Sequence, residues 1–298
     1  MAHTSWILPG ADDQPILGDT HLPDGEPIGV LVVCHGFKGY KDYGFFPYLA
    51  ECAAQRGLIA HRFNFSHSGM TDRLETFERP KLFEQDTWGK QTEDLGRVAA
   101  AIATGQLAGR DFPQVWFGHS RGGVTVLLTA GRVFAAADYQ GANRVPPPPD
   151  VPAPVAVVTA STPDVATSLD DAQRRLMHKQ GYLESPSSRT GQNLRVGLGW
   201  LKEIEANPRA YDPCRAIARI KCPVLILHGD QDETVSPTAA RRLAEAGGDR
   251  VNVRIIEGAN HVYGGRNPLP NDEPPPAALQ EMVDLTIDFA AQRCRGVC

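Results

Sequence analysis

The chain has 298 residues, 42% of them apolar and 22% charged, with a formal charge of −5. That length suits one large α/β domain or two small ones, and it can bury a sizeable core. The mild negative charge gives no reason to expect nucleic acid or an anionic membrane as partner, and no apolar run approaches the roughly 18–20 residues of a membrane span.

The start, MAHTSWILPGADDQP, lacks a basic segment followed by a long apolar one, so no secretory signal is expected. "SWIL" and "PILGDTHLP" predict an antiparallel hairpin on a sheet edge. "PIGVLVVCHG" (Pro27–Gly36) is a continuous apolar run ending in glycine, the pattern of a strand buried on both faces. Between Tyr43 and Gly57 the apolar residues Phe45, Phe46, Leu49, Cys52 and Ala53 keep helical spacing, and Gly57 is a helix stop. "LIAHRFNF" (Leu58–Phe65) is the next strand. In "WGKQTEDLGRVAAAIA" Leu95, Val98, Ala99 and Ile102 mark one helical face. "QVWFGHS" is a strand, followed by a helix from about Ser120 to Val133.

"RVPPPPDVPAP" (Arg144–Pro154) can be neither helix nor central strand, because proline lacks an amide hydrogen and fixes φ. It reads as a stiff surface loop, since strand-like "VAVVTA" follows at once. From 161 to 221 the pattern weakens to short helical patches such as "GWLKEIEANP". "CPVLILHGDQD" restores a buried strand. "AARRLAEAGG" is a helix, "RVNVRIIEGANH" a strand and loop, and "ALQEMVDLTIDFAAQR" a closing helix. Alternating strands and helices imply a mainly parallel sheet covered on both faces. The weak 161–221 stretch lies between two such strands and is expected to be an inserted lid on a single domain spanning residues 1–298.

Six cysteines, Cys34, Cys52, Cys214, Cys222, Cys294 and Cys298, form no C-x-x-C pair. Cys34 and Cys222 read as small buried residues, Cys294 and Cys298 as exposed tail thiols. A reducing cytoplasm is the compartment this usage suggests.

Ligands of open parallel sheets sit at the carboxyl ends of the strands. Four predicted strands end in reactive or turn-forming residues: Cys34-His35-Gly36-Phe37, Gly118-His119-Ser120-Arg121-Gly122-Gly123, His228-Gly229-Asp230-Gln231-Asp232 and Glu257-Gly258-Ala259-Asn260-His261. Glycines two before and two after Ser120 match the G-x-S-x-G nucleophile elbow, in which a tight strand-to-helix turn lifts the hydroxyl off the sheet. The plain alternative is that Ser120 is a helix N-cap. A serine nucleophile needs a base, and the base needs an orienting acid, in the chain order serine, acid, histidine. Asp232 and His261 meet that order. Asp230 and Asp164 are rival acids, Asp230 being suited to bracing its own turn.

The backbone amides of Phe37 and Arg121 are the candidate oxyanion hole. The Arg121 side chain reads as a solvated charge without a catalytic role. His35, His119 and His228 read as hydrogen-bonded turn histidines. His61 and His67 complete no metal-ligand spacing, so no metal and no cofactor are expected.

Taken together, "CHGFKGYKDYGFFPYLAECAAQRG", "HRFNFSHSG", "FGHSRGG", "LHGDQDETVSP" and "EGANH" resemble the α/β-hydrolase superfamily. The resemblance is nearest to small bacterial cinnamoyl/feruloyl esterase-like and acyl-aminoacyl-peptidase-like members, and runs from about Val30 to Phe289. It implies an α/β-hydrolase fold and a serine hydrolase acting on a small-molecule ester, with Ser120 as nucleophile, Asp232 as acid, His261 as base, and the Phe37 and Arg121 amides on the oxyanion. The arginine and first glycine of the family's D-x-R-G-H-G-x-S loop are absent from "NFSHSGMTD". Tyr40, Tyr43 and His67 on loops, and Tyr182 and Trp200 in the insertion, are candidates to face the substrate. Peptidase, amidase or thioesterase chemistry uses the same triad, and an aminopeptidase would want Glu184, Glu203 or Glu205 facing the substrate amine. A non-enzymatic receptor is the other alternative. Oligomeric state is not encoded in these patterns.

Overall fold

The computed structural model describes residues 3–135, 151–270 and 272–296. Its centre is an eight-stranded sheet, in the order β1-β2-β4-β3-β5-β6-β9-β10. The edge hairpin is β1 (His3–Pro9) with β2 (Pro15–His21), and β2 pairs antiparallel with β4 (Leu58–Asn64). From β4 onward, β3 (Gly29–Cys34), β5 (Gln114–His119), β6 (Ala156–Ala160), β9 (Val224–Gly229) and β10 (Val251–Ile256) run parallel.

The apolar runs form central strands because both faces of the sheet are covered. In β3, Val30, Val32 and Cys34 join one core, with Leu95, Val98 and Ile102 of α3 (Trp88–Thr104) and Leu127 of α4 (Arg121–Phe134). Leu31 and Val33 join the other, with Leu49 and Ala53 of α1 (Phe46–Gln55) and Leu279, Met282 and Ile287 of α9 (Ala277–Arg295). The alternation of side chains along a strand divides one continuous run between two cores. α1 begins three residues later than the apolar spacing suggests, because Gly44 has φ of 55° and Pro47 occupies its first turn.

Between β6 and β9 the chain forms α5 (Asp171–Gln180), a hairpin of β7 (Tyr182–Pro186) and β8 (Asn193–Gly197), α6 (Leu198–Ala206) and α7 (Pro213–Ile217). The hairpin was not foreseen: both strands are short, partly exposed and interrupted by charge, so they lack the buried run that reveals a central strand. The short helix α2 (Pro80–Glu84) packs against β8, and α8 (Thr238–Gly247) lies between β9 and β10 in the chain.

Cys34 and Cys222 are buried, as expected. Cys294 is not a tail thiol. It lies fully buried on the inner face of α9, against the backbone of Gly29 and 3.7 Å from the Pro113 carbonyl oxygen. The helix runs to Arg295, two residues past the predicted segment ending at Arg293, and carries the cysteine inward. Cys298 and the proline run up to residue 150 lie outside the described residues; 151–154 have no regular structure. Among the described residues no helix is long and apolar enough to cross a membrane.

Candidate active site

Four loops meet at the carboxyl end of the parallel strands. Ser120 stands between β5 and α4 with φ 54° and ψ −121°, left-handed for φ and rare for any residue with a side chain. The turn is tight enough that a side-chain carbon on Gly122 would collide with the carbonyl oxygens of Cys34 and His35, and one on Gly118 with Gly122. The N-cap alternative fails on geometry, since the Ser120 side chain makes no capping hydrogen bond.

The loops after β9 and β10 are tied together. The Asp230 amide donates to the Ile256 carbonyl at 3.2 Å, the Gln231 amide to Ala259 at 3.0 Å, and the Asp230 carboxylate accepts from the Gly258 amide at 2.7 Å. Asp230 is thereby used up as a brace. Asp164 pairs with Arg242 at 3.0 Å. The remaining acid, Asp232, reaches His261: the imidazole Nδ1 lies 3.0 and 2.9 Å from its two carboxylate oxygens. On the other side of the ring, Nε2 lies 3.0 Å from Ser120 Oγ.

The Asp232 carboxylate is buried, which alone would raise its pKa. Hydrogen bonds from His228, His261 and the Val235 amide outweigh burial and hold it well below the usual carboxylate range. It therefore stays charged and fixes the Nδ1–H tautomer of His261, leaving Nε2 to accept from the Ser120 hydroxyl.

The other strand-end histidines are anchors. His119 Nε2 donates to the His261 carbonyl oxygen at 2.9 Å, and burial pushes its pKa down to about 3. His35 Nδ1 donates to the Gly36 carbonyl at 2.8 Å while its Nε2 accepts from the Phe65 amide, and burial pushes its pKa down to about 4. Both are neutral rings with fixed tautomers. His228 Nε2 donates to the Val235 carbonyl at 2.9 Å.

The backbone of Gly36 comes so close that a side-chain carbon there would lie 3.1 Å from Ser120 Cβ. The amides of Phe37 and Arg121 donate to no protein acceptor among the described residues. Both residues line the larger cavity together with Ser120.

Among the described residues, two cavities open from Ser120, and Phe37 lines both. The larger, about 540 Å³, is mostly apolar and includes Trp88, Leu183, Val196, Trp200 and Val235. The smaller, about 240 Å³, is lined by His261, Tyr43, Lys38, Arg189 and the 186–188 turn of the β7–β8 hairpin. Of the five substrate-facing candidates, Trp200 and Tyr43 line a cavity. Tyr40, His67 and Tyr182 line neither. Tyr40 is buried edge-on to Tyr43 beneath the Arg189 guanidinium. His67 is buried against Ser66 and Lys90, and burial pushes its pKa down to about 4. The Tyr182 ring is covered by Arg195.

Arg121 departs from its expected role as a solvated charge. Its guanidinium lies 3.0 Å from Asp86 and stacks near the rings of Trp88, Phe37 and Trp200 at 4.6, 5.5 and 5.7 Å. A charged residue at the start of a helix is normally solvated; here the insertion and α3 close over it. Glu203 accepts from the Gly89 amide and Thr87, and Glu205 pairs with His178 and Arg174, so neither faces a substrate; Glu184 lines the larger cavity. Lys38 and Arg189, which no sequence pattern singles out, line the smaller cavity; the one local sign is that Lys38, with φ of 58°, lies between Gly36 and Gly39 in "GFKGY". Among the described residues no cluster of three or more His, Cys, Asp or Glu side chains is arranged to hold a metal ion.

This fold, with a strained serine at the β5–α4 turn, defines an α/β-hydrolase. The chain belongs to the alpha/beta hydrolase family, whose model matches residues 31–282. Among solved structures it is similar to Est1E from Butyrivibrio proteoclasticus with ferulic acid bound, at 18% identity and a TM-score of 0.66, over 98% of this chain and 99% of that one. It is also similar to the esterase domain of a Rhodothermus marinus protein, at 18% identity and a TM-score of 0.61, over 99% of each chain. A third, a puromycin-hydrolyzing peptidase from Mycobacterium tuberculosis, is 19% identical with a TM-score of 0.63, over 98% of this chain and 39% of that one. A search of curated proteins finds no match.

Proposed function

We propose that the chain is a serine hydrolase that cleaves a small carboxylic ester through an acyl-enzyme intermediate, as one domain with the 161–221 insertion as its lid. The observation that carries this reading is the unbroken row from Ser120 Oγ through the His261 imidazole to Asp232. The ester carbonyl carbon sits over Ser120 Oγ. His261 Nε2 takes the hydroxyl proton as the oxygen attacks, and the carbonyl oxygen gains negative charge between the Phe37 and Arg121 amides. His261 then gives the proton to the leaving alcohol oxygen as the carbon–oxygen bond breaks. Water, deprotonated by the same ring, releases the acid and restores the serine. Asp232 orients the ring and stabilises its cation.

Glu203 and Glu205 are engaged elsewhere, whereas Glu184 lines the larger cavity, so the choice between an ester and an aminoacyl substrate is put to a direct comparison of rates. The reading is tested with a fluorophosphonate probe and p-nitrophenyl butyrate. Ser120 is expected to be labelled, and Ser120→Ala to lose about 10⁴–10⁶-fold in turnover. Hydrolysis by that variant at the parent rate would overturn the assignment. Faster cleavage of aminoacyl anilides than of acyl esters would replace the ester by an amide.

A further inference from the structure

The two cavities at Ser120 are unlike each other, and proton transfer decides which part of a substrate enters each. The leaving atom receives its proton from His261 Nε2, so the leaving group lies on the imidazole side. His261 lines the smaller cavity and not the larger. The acyl chain therefore takes the larger apolar cavity and the alcohol takes the smaller one.

The smaller cavity has an unbalanced charge. Lys38 and Arg189 both line it, and no aspartate or glutamate does. Lys38 Nζ donates to the Pro186 carbonyl at 2.7 Å; the Arg189 guanidinium donates to the Leu74 carbonyl and to Met70 Sδ. These partners are neutral, and among the described residues neither cation meets a carboxylate. Three other cations of the described residues that are buried or nearly so have carboxylate partners: Lys41 and Arg62 pair with Asp19 and Asp42, and Arg121 with Asp86. Two partly buried cations from different segments, one on the loop after β3 and one on the β7–β8 turn, thus line the same cavity as the candidate base with no carboxylate partner, the Arg189 guanidinium also resting 4.7 and 5.1 Å from the Tyr40 and Phe77 rings.

We infer that the smaller cavity is a subsite for a leaving group that carries a carboxylate, so that the preferred substrates are esters of small hydroxy acids. This rests on the serine-hydrolase reading above. The carboxylate accepts from the Lys38 ammonium and the Arg189 guanidinium while the hydroxyl oxygen of the same alcohol faces His261 Nε2. Burial pushes the Lys38 pKa down, and a bound anion beside it offsets that cost. A volume of about 240 Å³ limits this alcohol to a small molecule.

The test compares two esters with the same acyl group, 4-(butyryloxy)phenylacetate and 4-(butyryloxy)phenylacetamide. The methylene separates the charged or neutral group from the reacting oxygen, so intrinsic reactivities are close. The carboxylate ester is expected to have a kcat/KM about ten-fold higher, as for one charge-assisted contact. The ratio should fall toward one in about 1 M salt. It should also fall several-fold in Lys38→Met and in Arg189→Met, and be largely kept in Lys38→Arg. Taking the ratio cancels whatever each substitution does to the shared machinery. Cleavage of both esters with a ratio of one or less in the parent overturns the subsite, as does a parental ratio in both methionine variants. Labelling of Ser120 by the fluorophosphonate with neither ester cleaved also overturns it, while leaving the serine-hydrolase reading intact. No labelling and no cleavage removes both.

Discussion

His119 donates from Nε2 to the backbone carbonyl of His261 at 2.9 Å, so the residue just before the candidate nucleophile holds the backbone of the candidate base. The two rings also meet at 5.0 Å between centroids. That bond ties the backbone of His261 to the end of β5 without involving Ser120 Oγ or His261 Nε2. His119→Phe keeps the ring volume and loses the donor. It is expected to lower kcat by about ten-fold with little change in KM, because one lost buried hydrogen bond is worth about 1–2 kcal/mol. Fluorophosphonate labelling of Ser120 should slow in parallel. Unchanged labelling and turnover would show that His261 is held by other means.

Gly122→Ala places a methyl group against two backbone carbonyls that cannot move without shifting the end of β3. We expect a loss of about 2–3 kcal/mol, the upper range for overpacking, read as a lower urea midpoint with an unchanged slope. A wild-type midpoint would mean that the turn is looser than its geometry indicates.

Acid should destabilise the protein between pH 6.5 and 4. Burial pushes the pKa values of His21, His35, His61 and His67 down to about 4 and that of His119 to about 3. Below pH 6.5 these side chains take up protons in the unfolded chain but not in the folded one, so stability falls as pH falls. Burial pushes Asp86 up to about 6 and Asp94 to about 7, which acts in the opposite sense, since the folded state there keeps protons the unfolded chain has released. Five uptakes against two releases leave a net uptake of about three protons on unfolding near pH 5. Calorimetry across this range should show Tm falling with acidity. A flat or rising Tm would refute the balance.

Arg121 and Asp86 form a buried ion pair between the larger cavity and α3. Arg121→Met leaves the carboxylate of Asp86 without its cation and should cost about 3 kcal/mol; Asp86→Leu should cost a similar amount by stranding the guanidinium. The double variant should cost less than the two losses added together. Urea unfolding of all four proteins gives the coupling, and strict additivity would show that the pair does not interact.

The legible parts share one physical property. β3, β5 and β9 are buried on both faces, so their apolar runs stand out, and each ends at the sheet edge where chemistry is placed. Ser120, Asp232 and His261, which the structure brings into one row at hydrogen-bond distance, could be picked out because a candidate nucleophile, acid and base are constrained in type and in chain order. The hairpin of β7 and β8 could not, because a partly exposed ribbon tolerates charge and has no sharp period. Nor could the burial of Cys294, which depends on how far α9 continues past its last apolar turn.

What the amino-acid order determined was the layered sheet and the three side chains at its edge, since burial and turn sterics act on neighbours along the chain. What only the tertiary structure decided was the environment of those side chains: the counter-charge of Arg121, the removal of Tyr40, His67 and Tyr182 from the cleft, and the two cavities divided by Phe37. Those depend on segments more than a hundred residues apart meeting in space, and no local periodicity records which of them will touch.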